Sequence, residues 1–229
     1  MSGLRPRRRR APRGSGDQLH DEILSATTQL LLETGHAKDV SIRSVAERVG
    51  VTSPSIYLHF ADKDTLLDAV CAQYFEKLDQ EMQSAATGQD TTLDVLRAQG
   101  LAYVRFATET PELYRIATMS EGTPGSDVDA TLNTSAFVHM RDSVQALIDE
   151  GIYAQGDPTT LALELWSAAH GVAALLIAKP YLPFGDPQAF TDRVLTAVCT
   201  GHIVGGIIGP DATQADTLNW LFDRKEVRS

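Results

Sequence analysis

A chain of 229 residues that is 43% hydrophobic can bury a sizeable core in one or two domains, which excludes wholesale disorder and a small disulfide scaffold. Its two cysteines, Cys71 and Cys199, stand apart with no C-x-x-C pair, which points to a reducing compartment and offers no structural zinc site. The net charge of −10, averaged over the whole chain, speaks against a nucleic-acid partner.

The charge is unevenly spread. Residues 1–64 hold 10 basic and 8 acidic side chains, net +2, and residues 65–229 hold 10 basic and 22 acidic, net −12. Residues 1–16 read as a disordered basic arm: Arg5, Arg7, Arg8, Arg9, Arg10 and Arg13 sit among Pro and Gly, with no acid before Asp17. The arm serves either phosphate contact or solubility. The polar segment that follows lacks the apolar run of a secretory signal, so the expected location is the cytoplasm. Beyond the arm, apolar residues recur at three- and four-residue spacing and strand-like alternation is missing, so the expected fold class is all-α with nine or ten helices.

A first helix is predicted from near Asp17 to Gly35, with Ile23, Ala26, Leu30 and Leu31 on its apolar face and Gly35 suited to a left-handed cap. Ser41 is placed to cap a second helix, where Ile42, Val45, Ala46 and Val49 follow helical spacing up to Gly50. A third helix follows, with Ser53 as its expected cap, Pro54 at the first helical position, and Ile56 and Phe60 on the buried side. Two short helices joined by a tight turn, the second presenting small polar residues, describe a helix-turn-helix. Thr52, Ser53, Pro54 and Ser55 keep that second helix slim enough to enter a major groove. Tyr57 and His59 can donate to phosphate oxygens, and Lys63 opens a fourth helix capped by Asp62. A plainer role remains open for each: Tyr57 as packing, His59 as solvated surface, Lys63 as an exposed lysine.

These residues carry a family resemblance. The run Ser41-Ile42-Arg43-Ser44-Val45-Ala46, then Gly50-Val51-Thr52-Ser53-Pro54-Ser55-Ile56-Tyr57-Leu58-His59-Phe60 and Lys63-Asp64-Thr65-Leu66-Leu67, resembles the DNA-binding domain of TetR-type repressors. The resemblance covers about residues 18–73. It implies that the third helix is the recognition helix, that Tyr57, His59 and Lys63 touch backbone phosphates, and that Arg43 reads a base. Arg43 is equally placed to pair with Glu47 one turn on. The resemblance also implies an all-helical C-terminal domain that binds a ligand and dimerises, and hence the domain division 17–77 and 78–229.

The fourth helix continues through Leu67, Val70, Cys71, Tyr74 and Leu78 as the link to the rest of the chain. Tyr103, Phe106, Tyr114 and Met119, with Phe137 and Met140 beyond a Gly/Ser/Asp-rich loop at residues 120–129, are candidate walls of an apolar ligand cavity, or plain core. Trp166 and His170, followed by Gly171, resemble a Trp-His-Gly signature of one TetR subgroup and join that candidate lining; a Trp and a His four apart on an apolar helix also suit a core. Residues 161–178 and 194–209 are the most apolar helical stretches. The first contains Glu164 and His170 and the second is too short for a bilayer, so no membrane span is expected. Gly201, Gly205 and Gly209 recur every four residues, with Gly206 adjacent. They leave a flat surface on which a second copy can pack in a twofold four-helix bundle.

No nucleophile elbow, phosphate-binding loop, dinucleotide fingerprint or zinc-protease pair occurs in the sequence. Glu33-x-x-His36 is interrupted by Gly35 and reads as a helix end. No catalytic residue, cofactor or metal is expected. The expected protein is a ligand-responsive homodimeric transcriptional repressor, partnered by a double-stranded pseudo-palindromic operator and a small apolar or amphipathic effector. The alternatives are a transcriptional activator, or a helical small-molecule-binding protein or enzyme with a vestigial helix-turn-helix.

Overall fold

Every regular element among the described residues of the computed structural model is helical. The structure describes residues 16–119, 133, 135–209 and 212–226; the arginine arm up to residue 15 and the loop at residues 120–129 lie outside them. Among the described residues ten α-helices form, in two compact units.

The first unit holds α1 (Gly16–Thr34), a 3-10 turn (Ala37–Asp39), α2 (Ile42–Val49), α3 (Ser53–Tyr57), the first part of α4 (Lys63–Ala86) and α6 (Pro111–Met119). Its core is built from the predicted spacings: Ile23, Leu31, Val45 and Ile56 are fully buried, joined by Phe60, Leu66 and Val70. Gly35 ends α1 at φ +74°, with its N–H on the Leu31 carbonyl at 2.8 Å, a conformation that a residue lacking Cβ adopts freely. Leu113 and Ile116 of α6 pack on the same core. In the structure this segment therefore groups with the N-terminal unit. Nothing local marks such an attachment. Cys71 is buried on α4, where desolvation, with Asp68 nearby, pushes its thiol up to about 12 and keeps it a packing group.

The second unit begins at Leu78 and holds the rest of α4, then α5 (Thr92–Glu109), α7 (Ala136–Asp149), α8 (Pro158–Ala178), α9 (Pro187–Ile208) and α10 (Gln214–Glu226). Helix α8 packs against α5, α7 and α9, and α5 also packs against α7 and α9. Leu96, Val144, Leu147, Ala162 and Leu165 meet in the middle. The cap of α8 is Asp157, which accepts from the Thr159 and Thr160 N–H groups at 3.2 and 3.1 Å. That of α9 is Asp186, accepting from Ala189 N–H at 2.7 Å. Helix α9 thus starts seven residues earlier than the apolar stretch 194–209 suggested, because Asp186-Pro187 is a start signal in a polar segment that hydropathy passes over. Helix α8 is long and apolar enough by composition to cross a bilayer, yet it buries Ala162, Leu165, Ala169, Val172 and Ala173 against its neighbours.

Two glycines permit close approaches within this unit, one to a neighbouring helix and one to the turn at residues 152–154. A Cβ on Gly100 would lie 2.8 Å from Leu195 Cδ1, and one on Gly206 would lie 2.7 Å from the Ile152 carbonyl oxygen. Gly206 is therefore the glycine of α9 on which its own chain closes.

Candidate nucleic-acid interface and helical pocket

Helix α2 starts on a reciprocal cap. Ser41 Oγ accepts from the Ser44 N–H at 3.1 Å while Ser44 Oγ accepts from the Ser41 N–H at 2.9 Å. Gly50 ends it at φ +80°, and the N–H groups of Gly50 and Val51 both reach the Ala46 carbonyl, at 2.9 and 3.0 Å. The next helix begins one residue earlier than its sequence suggests. Ser53 is already helical and Thr52 is the cap residue, with Pro54 in the first turn. Thr52 makes no side-chain cap bond; its hydroxyl lies 3.0 Å from Ser55 Oγ instead. Ile56, fully buried, fixes which way α3 turns. Thr52 and Pro54 are then exposed, Ser53 and Ser55 half-buried, and Tyr57 points outward with 53% of its surface free. Leu58 is 86% exposed and was missed by the sequence reading. Its signal was an apolar residue out of phase with Ile56 and Phe60.

The expected phosphate anchors lie around this helix. His59 is half-exposed, its ring 6.1 Å from that of His20, which in turn stacks on Phe60 at 4.9 Å. Lys63 is not a free cation: its Nζ donates to the Ala37 carbonyl at 2.6 Å and ties α4 to the 3-10 turn. Asp62 caps α4 by accepting from the Thr65 N–H and hydroxyl at 2.7 and 2.8 Å, bonds that hold its carboxyl below the usual range. Arg43 makes the alternative pair, its Nε donating to Glu47 at 2.9 Å on a fully solvated face. Such an exposed i,i+4 pair contributes only about 0.3–0.5 kcal/mol and yields readily to a stronger anion. Arg48 binds Glu33 through both nitrogens, at 2.9 and 2.5 Å, and clamps α2 to α1.

In the second unit the structure brings together three of the expected pocket residues. Tyr103 Oη lies 3.3 Å from His170 Nδ1, and the Trp166 and His170 rings are 5.3 Å apart. Burial lowers the His170 pKa and so favours the neutral imidazole. Met140 is buried, Phe106 and Phe137 are half-buried, and Tyr114 is fully buried in the first unit. The Met119 side chain lies outside the described residues. A cavity of about 170 Å³ opens among Gly100, Met140, Leu165, Ala169, Leu195 and Cys199, so of the predicted lining only Met140 is on its wall. The lone Gly100 inside a helical pattern was the available signal, since glycine there costs about 1 kcal/mol and marks a close approach. No cluster of His, Cys, Asp and Glu suited to a metal occurs among the described residues.

The glycine stripe faces outward. An added Cβ at Gly201, Gly205 or Gly209 would meet nothing within 4 Å, and Gly209 closes α9 at φ +106°. Leu163 and Leu175 of α8 and Ile207 of α9 are also exposed.

Residues 23–70 match the family model described as bacterial regulatory proteins, tetR family, and residues 96–198 match that of the tetracyclin repressor-like C-terminal domain. The HTH-type transcriptional regulator EthR of Mycolicibacterium smegmatis is 34% identical over 80 residues, 35% of this chain and 36% of that protein. The match thus spans about a third of that relative's length. The nucleoid occlusion factor SlmA of Pectobacterium carotovorum is 28% identical over 178 residues, 76% of this chain and 89% of that one. Among solved structures, a protein of unknown function from Rhodococcus sp. RHA1 superposes with a TM-score of 0.68 at 25% identity, covering 82% of this chain and 94% of its own. The fatty acid degradation regulator FadR of Bacillus halodurans shares the fold, with a TM-score of 0.64 at 16% identity over 84% of this chain and 97% of that one.

Proposed function

The chain belongs to the tetR family of bacterial regulatory proteins and is a DNA-binding transcriptional regulator, and from that premise we propose that it is a homodimeric repressor released from its operator by a small molecule. The observation that carries the reading is the orientation of α3: Ile56 is buried, so Thr52, Pro54 and Tyr57 turn outward where a major groove can receive them. Tyr57, His59 and Lys63 anchor phosphates on either side. Lys63 uses one of its three N–H donors on Ala37 and keeps two for DNA. Arg43 exchanges Glu47 for a base or phosphate. Two copies present their α3 helices to half-sites about 34–36 Å apart. The outward faces of α8 and α9, uncharged over residues 194–209, supply the dimer contact in the cytoplasm where the operator lies.

The effector is a small, mainly apolar molecule taken up by the second unit. Tyr103 and neutral His170 offer it one polar contact beside Trp166, and the cavity at Gly100 and Leu195 offers volume. Its signal leaves through α4, whose later residues are held to the same unit by Asp79–His139 at 2.8 Å and Glu81–Arg105 at 3.1 Å. A ligand that shifts α5 or α7 pulls on those pairs and biases the spacing of the two α3 helices.

The test is an electrophoretic shift with the DNA upstream of the protein's own gene. Replacing Tyr57, His59 and Lys63 together by alanine is expected to weaken binding at least about 100-fold and to flatten its salt dependence. Unchanged affinity in the triple variant would sink the proposal.

A further inference from the structure

Helix α10 leaves an apolar side uncovered. At 3.6 residues per turn, Leu221, Leu218 and Phe222 fall within about 100° of its circumference, the width of the stripe by which a helix sits on a neighbour, while Trp220 lies apart from them beyond Thr217 and Arg224. The Trp220–Thr217 side is half-buried, with the Arg224 guanidinium 4.6 Å over the Trp220 ring. The adjoining side is bare: Leu218, Leu221 and Phe222 are 53, 44 and 58% exposed. The second unit has another uncovered, largely apolar surface in the outward faces of α8 and α9, where Leu163, Leu175 and Ile207 are exposed, nothing lies over Gly201 and Gly205, and the exposed Glu164, 3.5 Å from His202, is a charged interruption. No Asp, Glu, Lys or Arg interrupts residues 194–209.

We propose that α10 is an exchanged arm, whose Leu218–Leu221–Phe222 stripe packs along the margin of the α8–α9 face of a second copy of this chain, beside the part that the α8–α9 pairing covers. The proposal rests on the homodimer described above and adds an element that neither matched family segment contains. Area supports this occupant. Two helices of 21 and 22 residues offer a face of ~32 by ~20 Å, or ~600 Å² per protomer, short of the ~800 Å² of a standard stable interface. The 13 residues of α10 add ~200 Å² on each side of the twofold axis. Position supports it too: only residues 209–213 separate α9 from α10, so α10 starts within ~20 Å of the end of α9. A lipid surface suits the helix less well, because its Asp216, Asp223 and Glu226 outnumber Arg224 and Lys225.

The experiment measures dimer dissociation of the full chain by sedimentation, comparing wild type, Gly205→Leu on the α9 face, and the combined Leu218→Asp, Leu221→Asp, Phe222→Asp variant. All three substituted α10 positions are solvated in the single chain, so its helical circular dichroism should be retained. The combined variant should raise the dimer Kd at least about 100-fold. A benzophenone amino acid at position 221 of otherwise native protein should give covalent dimer on irradiation. A combined variant that dimerises as tightly as wild type, or exclusively intramolecular photoproducts, overturns the arm and leaves the dimer standing if Gly205→Leu disrupts it. A wild-type chain that stays monomeric at all concentrations overturns the dimer reading and the arm with it.

Discussion

Two outward surfaces of this chain are built from small residues, and they differ in what they leave unsatisfied. On α3 the exposed atoms are hydroxyls, a proline ring and the Tyr57 phenol, groups that water solvates and that phosphates and base edges can take over. On α8 and α9 they include leucine, isoleucine and bare glycine backbone, which gain only when water is expelled, beside a few polar groups such as Glu164 and Ser167. The first surface can stay open until DNA arrives. The second gains from another apolar surface, so under the proposed reading a repeated small residue serves groove entry in one helix and helix-to-helix packing in the other.

The largest expected effect breaks the comparison from beneath. Ile56 touches solvent nowhere and holds α3 to a small core, so Ile56→Ala should cost about 2–5 kcal/mol in denaturant unfolding. Against the roughly 5–15 kcal/mol of a typical domain, that should abolish operator binding without removing a single outward group. Retained binding would show that α3 does not depend on its buried side.

A smaller effect separates the two kinds of glycine on α9. Gly206→Ala places a methyl group against the Ile152 carbonyl and should lower the thermal midpoint, by overpacking worth about 1–3 kcal/mol. Gly201→Ala enters open space and should stabilise the isolated helix by up to about 1 kcal/mol while weakening self-association in sedimentation. Equal behaviour of the two variants would remove the distinction between an inward and an outward face.

The smallest effect concerns pH. Burial depresses the folded-state pKa of His170, so as pH falls below the ordinary imidazole value near ~6.5 the unfolded chain takes up a proton before the folded one does. Stability from this group is therefore present above that pH and lost on acidification. Melting temperatures between pH 7 and 5 should fall less steeply in His170→Gln, and parallel curves would exclude a buried neutral histidine.

Much of the first unit was legible because its signals are local. Ser41, Gly35 and Gly50 announce helix ends through their own backbone and side-chain chemistry, and Ile23, Val45 and Ile56 announce burial by spacing. The cap of α3 was misplaced by one residue because Thr52 and Ser53 are equally plausible caps until the backbone is seen. The pocket was legible only in part. Tyr103, Trp166 and His170 do meet, but Leu195, Cys199 and Gly100 reach the cavity from helices far apart in sequence, and their types are those of any core.

The sequence by itself determined the all-helical class and the helix-turn-helix, because each depends on neighbours three to seven residues apart, and the division of charge, because that is a count along the chain. Tertiary structure alone decided that α6 joins the first unit, that Lys63 is tied to Ala37, and that Gly206 faces inward while Gly201 and Gly205 face out. Those are choices among chemically similar residues on the same helix or among distant segments. They are settled by which backbone comes within about 3 Å of which, and periodicity carries no record of that.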